Sequence, residues 1–338
     1  MKGNNHSAKS KSPLLGRGRG EAACIDLPAP PSSWNQLTAR QLMAVHKLRR
    51  KGYSNEEFKL RVLLMLLDLV ILHRADKEDD GTFTYKFRRR GLWSWLRREE
   101  LSMKSWEVRY WIDRYLKFLD DPFTRTAAAW EYKRIGRRKF RAPDTLLLNM
   151  TYQQFGNCQR QLMVAWDSAK LAERLIENGA TRQAVKEALR RADKARAAFV
   201  SHMFVAGRRQ LMERKEESTY LSMKRVYKYD QRDAQRRVNL FRRQSPQLYD
   251  VCYQLFQSTL AHYKTMFPML FKEHDGGDGR SALTIELETV NVIKRECGYE
   301  SQQAVYDTNA VFIFEDLNML ATRAKQMKDA QARMNAKK

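Results

Sequence analysis

One segment limits the fold more than any other. Leu248, Val251, Cys252, Leu255, Phe256, Thr259, Leu260 and Tyr263 recur at i, i+3, i+4, i+7, i+8, i+11, i+12 and i+15, the spacing that lays side chains along one face of an α-helix. Ser245-Pro246 precedes the row, an N-cap residue followed by proline at the first helical position, where the missing N–H is one of the orphans anyway. Burying the large members of the row contributes roughly 1.5–3 kcal/mol each before chain entropy is subtracted, enough to anchor a domain. Such a helix needs other helices to cover it, and most of the chain past residue 35 supplies them.

Thr38 caps a helix that turns Leu42, Val45 and Leu48 inward and stops at Lys51-Gly52, glycine supplying the left-handed cap. Ser54-Asn-Glu-Glu57 is a capping box. The helix it opens is expected to run through His73, because the sequence is apolar nearly all round from Val62 onward. Trp106 to Leu119 reads as a further helix, with Trp111, Tyr115 and Leu119 at intervals of four. Thr151 to Glu177 carries Phe155, Leu162, Trp166 and Leu175 and closes at Asn178-Gly179. Thr181 caps the next helix, with Leu189, Phe199 and Phe204 on one side. Ser281 to Glu296 and Ser301 to Lys328 are expected to form a helical hairpin, turned by Cys297-Gly298-Tyr299.

The one strand signal is Thr82 to Phe87, alternating and rich in β-branched and aromatic residues, after a tight Asp79-Asp80-Gly81 turn. Its partner is expected in Leu92–Leu96 or in Trp130–Ile135. The expected fold is mainly α: a multi-helix bundle with a small β-ribbon in the first half and a C-terminal helical hairpin. The expected organisation is a disordered basic arm at 1–26, an N-terminal helical domain with the ribbon at 27–125 and a linker at 126–145. A second helical domain follows at 146–272, then a flexible linker at 273–280 and an acidic hairpin at 281–330. The 126–145 boundary rests on two prolines, Gly136 and weak periodicity.

The formal net charge is +24, yet 43% of the residues are hydrophobic and seven are tryptophan. Positive charge on a chain that rich in apolar residues decorates something folded. Lys224 to Arg243 carries eight bases against Asp230 and Asp233, whereas Asp275 to Asn318 carries nine acids against three bases. Two basic groups are candidate contacts for phosphate or for an acidic partner. Arg232, Arg236, Arg237, Arg242 and Arg243 form one; the alternative for them is the solvated face of a connector. Arg88, Arg89, Arg90, Arg97 and Arg98 form the other, interleaved with Trp93, Trp95, Trp106 and Trp111. Aromatics among arginines suit single-stranded nucleic acid. Helical phase with Tyr115 and Leu119 favours Trp111 as a core residue instead, the arginines solvating its rim.

No HExxH, GxSxG, GxxxxGK[ST] or GxGxxG sequence occurs. Cys24, Cys158, Cys252 and Cys297 are far apart and form no CxxC pair, which argues against a zinc ribbon and suits a reducing compartment. The histidines have no second ligand at metal spacing. Glu99-Glu100 and Glu216-Glu217 sit among bases, the setting of surface salt bridges rather than of acid–base catalysis. A non-enzymatic protein with no cofactor and no metal is expected. The longest apolar run, Val62 to Leu72, contains Asp68 and is far short of the ~20 residues of a membrane span.

Several segments together resemble a family encoded in tail-gene clusters of bacteriophages and prophages of gut anaerobes. They are Leu27-Pro with Ser33-Trp34-Asn35-Gln36-Leu37-Thr38 and Gln41-Leu42, Phe118-Leu119-Asp-Asp-Pro122, Leu148-Asn149-Met150-Thr151-Tyr152-Gln153-Gln154-Phe155, Met266-Phe267-Pro268-Met269-Leu270-Phe271, and Ala304-Val305-Tyr306-Asp307-Thr308-Asn309 with Phe312. The resemblance implies a cytoplasmic tail-morphogenesis factor in the bacterial host, similar to the assembly chaperones that coat a tape-measure protein. On that footing Val305, Phe312, Leu317 and Leu320 of the closing hairpin are candidate partner-binding residues. The strong basicity and the basic arm depart from such chaperones. Sequence-independent DNA or RNA contact is therefore the alternative, and a structural virion component is a second one.

Overall fold

The structure, a computed structural model, describes residues 27–74, 82–90, 100–206, 229–244, 246–271 and 282–335. The basic arm 1–26, the turn at 79–81, Leu92–Leu96 with Trp93 and Trp95, Arg97, Arg98, Lys224, Arg225, Lys228 and the linker 273–280 lie outside them. The fold is mainly α, with two small antiparallel sheets. Contacts divide the chain into two compact units, one built on Leu67–Val108 and the other on Pro31–Leu66 with Arg109–Lys338. Among the described residues no helix is long and apolar enough to cross a membrane.

In the smaller unit, β1 (Leu69–Arg74), β2 (Thr84–Arg89) and β3 (Glu100–Lys104) form one sheet in that order. Phe87 pairs across to Ile71 and Leu101, and Phe87 and Met103 are buried. This corrects two expectations. The helix expected to reach His73 stops at Leu66; Asp68 then takes a left-handed φ of 56° and Arg90 N–H closes on its carbonyl at 2.7 Å. A short apolar run fits a buried helix and a buried strand equally well, and here the β-branched Val70-Ile71 pair belongs to a strand. The strand at 84–89 pairs with β1 and β3 rather than with Trp130–Ile135; Leu92–Leu96 lie outside the described residues.

The larger unit opens with α1 (Ala39–Arg49). Its Thr38 cap is reciprocal: Gln41 N–H donates to Thr38 Oγ1 at 3.3 Å and Thr38 N–H donates to Gln41 Oε1 at 2.8 Å. Next comes α2 (Asn55–Leu66), after Gly52 at φ 68°. The stretch Arg109–Tyr115 of α3 (Ser105–Tyr115) leads to Arg125, which is 3% exposed. Its guanidinium donates to the carbonyls of Trp34, Leu37, Ala127 and Ala128 at 2.6–3.0 Å.

A long antiparallel pair follows, α4 (Tyr152–Glu177), which the sequence places at Thr151–Glu177 and Thr151 caps, and α5 (Arg182–Met203), capped by Thr181 as the sequence predicts. Its outer half closes on small residues, Ala165, Ser168 and Ala172 of α4 and Ala188, Ala192 and Ala195 of α5, all buried. Short helices α6 (Gln231–Arg236) and α7 (Val238–Arg242) precede α8 (Pro246–Met266), the predicted apolar helix. Leu248, Val251, Cys252, Leu255, Phe256, Thr259 and Tyr263 of its row are buried, with Leu260 half-buried. Arg50 makes a bidentate pair with Asp250 at 2.6 and 2.7 Å, and Ser258 donates to the Phe123 carbonyl at 2.6 Å. The first helices and the α8 region therefore belong to one body, not to separate domains on either side of 126–145.

The C-terminal hairpin is also corrected. It is three helices, α9 (Ala282–Glu296), α10 (Gln302–Asp307) and α11 (Ala310–Asn335). Thr308-Asn309 interrupts the expected 301–328 helix because both residues serve the core. Tyr152 N–H donates to the Thr308 carbonyl at 2.8 Å, Asn309 Nδ2 donates to the Leu148 carbonyl at 2.5 Å, and Ala310 N–H donates to the Met150 carbonyl at 3.0 Å. Val311, Phe312, Ile313 and Phe314 are then buried in succession. The Phe314 ring lies 5.1 Å from that of Phe155 and 5.5 Å from that of Tyr263, within the aromatic-contact range. The segment is core, not a tethered module.

Candidate nucleic-acid interface

Residues 132–141 read Tyr-Lys-Arg-Ile-Gly-Arg-Arg-Lys-Phe-Arg, six bases in ten residues and no acid. They form the second sheet, β4 (Tyr132–Ile135) and β5 (Arg138–Arg141), in the region expected to be a linker. Gly136 has φ 59° and Arg137 has no positive φ, the pattern of a two-residue type II′ turn, whose twist matches a hairpin. The register sets Tyr132 opposite Arg141, Lys133 opposite Phe140, Arg134 opposite Lys139 and Ile135 opposite Arg138. Opposed residues share a face. One face thus carries Ile135 and Phe140, 2% and 0% exposed, into the main core, with Lys133 opposite Phe140 and Arg138 opposite Ile135 on the same face. The other presents Tyr132, Arg134, Lys139 and Arg141, and Arg134, Arg137, Arg138 and Lys139 are exposed.

The ribbon is fastened to a second basic element. The Phe140 ring lies 5.5 Å from that of Phe241 on α7, and the Arg237 guanidinium sits 5.1 Å over the Phe140 ring. Arg237 donates to the Phe204 carbonyl at 3.0 Å and pairs with Asp233 at 2.9 Å. Burial lowers its pKa, Asp233 opposes that shift, and the nearby Arg138 adds to it. Arg141 and Val205 exchange backbone hydrogen bonds at 2.9 and 3.0 Å, which closes the ribbon on the end of α5. Behind it, the Tyr229 hydroxyl lies 2.6 Å from His202 Nδ1 and accepts from Asn157 Nδ2 at 2.9 Å. Burial first, then the charges of Arg237 and Arg160, lower the His202 pKa to about 4, so the ring is neutral at pH 7.

Arg232, Arg236, Arg242 and Arg243 are exposed on α6, α7 and the turn after α7, whereas Arg237 is 4% exposed and structural. That corrects its assignment as a surface contact. Arg88 and Arg89 are half-buried on β2 and Arg90 is exposed after it, all in the other unit. Arg97 and Arg98 lie outside the described residues. Trp111 is 8% exposed, as its helical phase implies, while Trp106 is 58% exposed. The hairpin candidates do not make a partner surface: Val305 is 0% and Phe312 8% exposed, and Leu317 and Leu320 are half-buried, Leu317 against two core clusters. Their helical spacing marks a buried face, and here the rest of this chain buries it.

The sequence reading named Trp130–Ile135 as a candidate strand, which contains β4, but paired it with Thr82–Phe87 and missed β5. Ile135 and Phe140 flanking Gly136-Arg137 were the available signal, an apolar residue on each arm of a two-residue glycine turn. Dense arginine hid the alternation. Among the described residues no cluster of three or more metal-ligating side chains occurs. No family model, no curated protein and no solved structure matches the chain.

Proposed function

We propose that this protein binds nucleic acid without sequence readout, through phosphate contacts made by the β4–β5 ribbon and by the exposed arginines of α6, α7 and the turn after α7. The observation that carries this is the acid-free ribbon, whose Ile135 and Phe140 are fixed in the core while Arg134, Arg137, Arg138 and Lys139 are exposed. Arginine and lysine held this way neutralise phosphates and release counterions, which makes affinity fall steeply with salt. The ribbon has no Asn or Gln to read adenine and no acid to read cytosine; what its exposed side chains offer is positive charge. Anisotropy titrations of labelled duplex DNA with the full chain at increasing salt test the proposal. Six phosphate contacts correspond to a slope of log K on log salt of about −5. A slope near zero, or no binding at low salt, would refute it.

A helical partner, as the tail-gene resemblance implies, is supported by a different observation now that the closing hairpin is core. Met163, Trp166 and Ile176 of α4 and Leu189 of α5 are 47–63% exposed on the helix pair whose seam is made of small residues. Under this second proposal, replacing Met163 and Trp166 with serine abolishes co-elution with a tape-measure fragment. Retained co-elution would end it.

A further inference from the structure

Past Leu320 the last helix leaves the body that buries its first turns. From Arg323 to Asn335 every residue of α11 is exposed. The stretch has no Gly, Pro or β-branched residue and is rich in Ala, Lys, Arg, Gln and Met, all strong helix formers. Helices of this length nonetheless draw most of their stability from packing one face, and the residues for such a face are present. Ile313, Leu317, Leu320, Ala324, Met327, Gln331 and Met334 follow one another at alternating steps of four and three, the heptad spacing that keeps one seam toward a partner helix. Ile313 is buried within this chain, and Leu317 and Leu320 are half-buried. The seam then runs on into solvent, with Met327 68% and Met334 63% exposed. Methionine suits such a surface, being apolar, unbranched and able to repack.

The charges around the seam say what kind of helix fits it. Arg323 and Lys328 flank the row, one on each side, while Lys325 and Arg333 lie behind it; all four are exposed. Bases spread around the helix in this way form no single face for a phosphate backbone, whereas the apolar residues are aligned. The flanking positions past Leu320 are Ala321, Arg323, Lys328, Ala330 and Asn335, with no acid among them. A second copy laid parallel would set Arg323 against Lys328, and an antiparallel copy would bring no acid to either. We infer that the exposed part of α11 is a docking helix for an acidic amphipathic helix of another protein. The partner's apolar row covers Ala324, Met327 and Met334, and its flanking Glu or Asp side chains pair with Arg323 and Lys328. This surface uses none of the residues assigned to phosphate contact.

The test uses the full chain and a labelled synthetic peptide of about four heptads, with leucine at the seam positions and glutamate at the flanking positions of each heptad. A second peptide carries lysine in place of glutamate. Anisotropy should show the glutamate peptide bound at least ~10-fold more tightly than the lysine peptide. Met327→Ser with Met334→Ser removes no charge and should cost at least ~10-fold in that affinity, with an unchanged Tm because both side chains are exposed. Arg323→Gln with Lys328→Gln should narrow the preference for glutamate by ~3-fold or more. Wild-type affinity for the glutamate peptide in the methionine variant would overturn the docking helix, because the attraction would then be charge alone. A dimer in light scattering that the methionine variant abolishes would make a second copy the occupant, and a loss of duplex DNA affinity in that variant would assign the face to nucleic acid. Either result overturns the inference.

Discussion

Arg125 offers the sharpest test of how the larger unit is held together. Its guanidinium is 3% exposed, and four of its five N–H groups are used on main-chain carbonyls: Nε on Ala127, Nη1 on Trp34 and Leu37, Nη2 on Ala128. Burial lowers its pKa, the mark of a cation whose site is costly to enter. Arg125→Met keeps the length and returns that desolvation cost. It also strands the Trp34 and Leu37 carbonyls, whose bonds to Arg125 are fully buried, at ~1–3 kcal/mol each. The partly buried Ala127 and Ala128 carbonyls re-pair with water. The net loss is about 2–5 kcal/mol, which at ~2–4 °C per kcal/mol lowers the Tm by roughly 4–20 °C. Near-UV circular dichroism follows the transition directly, because the Trp34 ring packs 5.1 Å from that of Phe118 and 4.8 Å from that of Phe123. Arg125→Lys should recover little, since a tetrahedral ammonium cannot present the planar fork. A Met variant melting within ~2 °C of wild type would show that the carbonyl cage contributes nothing to stability.

Three further outcomes follow from the same structure. His46 and His202 are buried and neutral, each with its pKa lowered from 6.5 to about 4, burial being the largest cause. The stability they contribute is present above pH 6.5 and is lost as pH falls toward 4. The urea midpoint should therefore drop across that window, and less so in His202→Gln; an equal drop in the variant would remove His202 from the account. Deleting residues 282–338 should abolish cooperative unfolding, because Phe155, Tyr263 and Phe267 lose Phe314; an unchanged Tm would mean the segment is a tethered module after all. Gly136→Ala meets open space but inherits a φ of +59°, so strain alone should cost ~1–2 kcal/mol and weaken DNA binding through the ribbon. Calorimetry showing no loss of stability would exclude that turn geometry.

Much of the α architecture was legible because caps and apolar rows are local signals. Thr38, Thr151, Thr181 and the Leu248–Tyr263 row each fall where their spacing places them. The errors have a shared cause: each depends on a residue's long-range partner. Periodicity could not say that Val70 and Ile71 would pair with Arg88 and Phe87. It could show that Val305 and Phe312 line a buried face, but not that their own chain buries it. Arg237 looked like its neighbours Arg232 and Arg236, and only the Phe204 carbonyl and the Phe140 ring set it apart. The candidate interface was missed for the opposite reason. Its charge was visible, but the two apolar residues that turn a charged loop into a fixed ribbon are single residues on short strands.

The central claim is that a rigid ribbon of cations on a folded helical body binds phosphate. Comparing the salt slopes of wild type and of an Arg134→Gln, Arg137→Gln, Lys139→Gln variant on one duplex tests it most directly, all three side chains being exposed. The triple variant is expected to keep the wild-type Tm and to show a slope smaller in magnitude by ~2.7. A wild-type slope and affinity retained in the triple variant would contradict it.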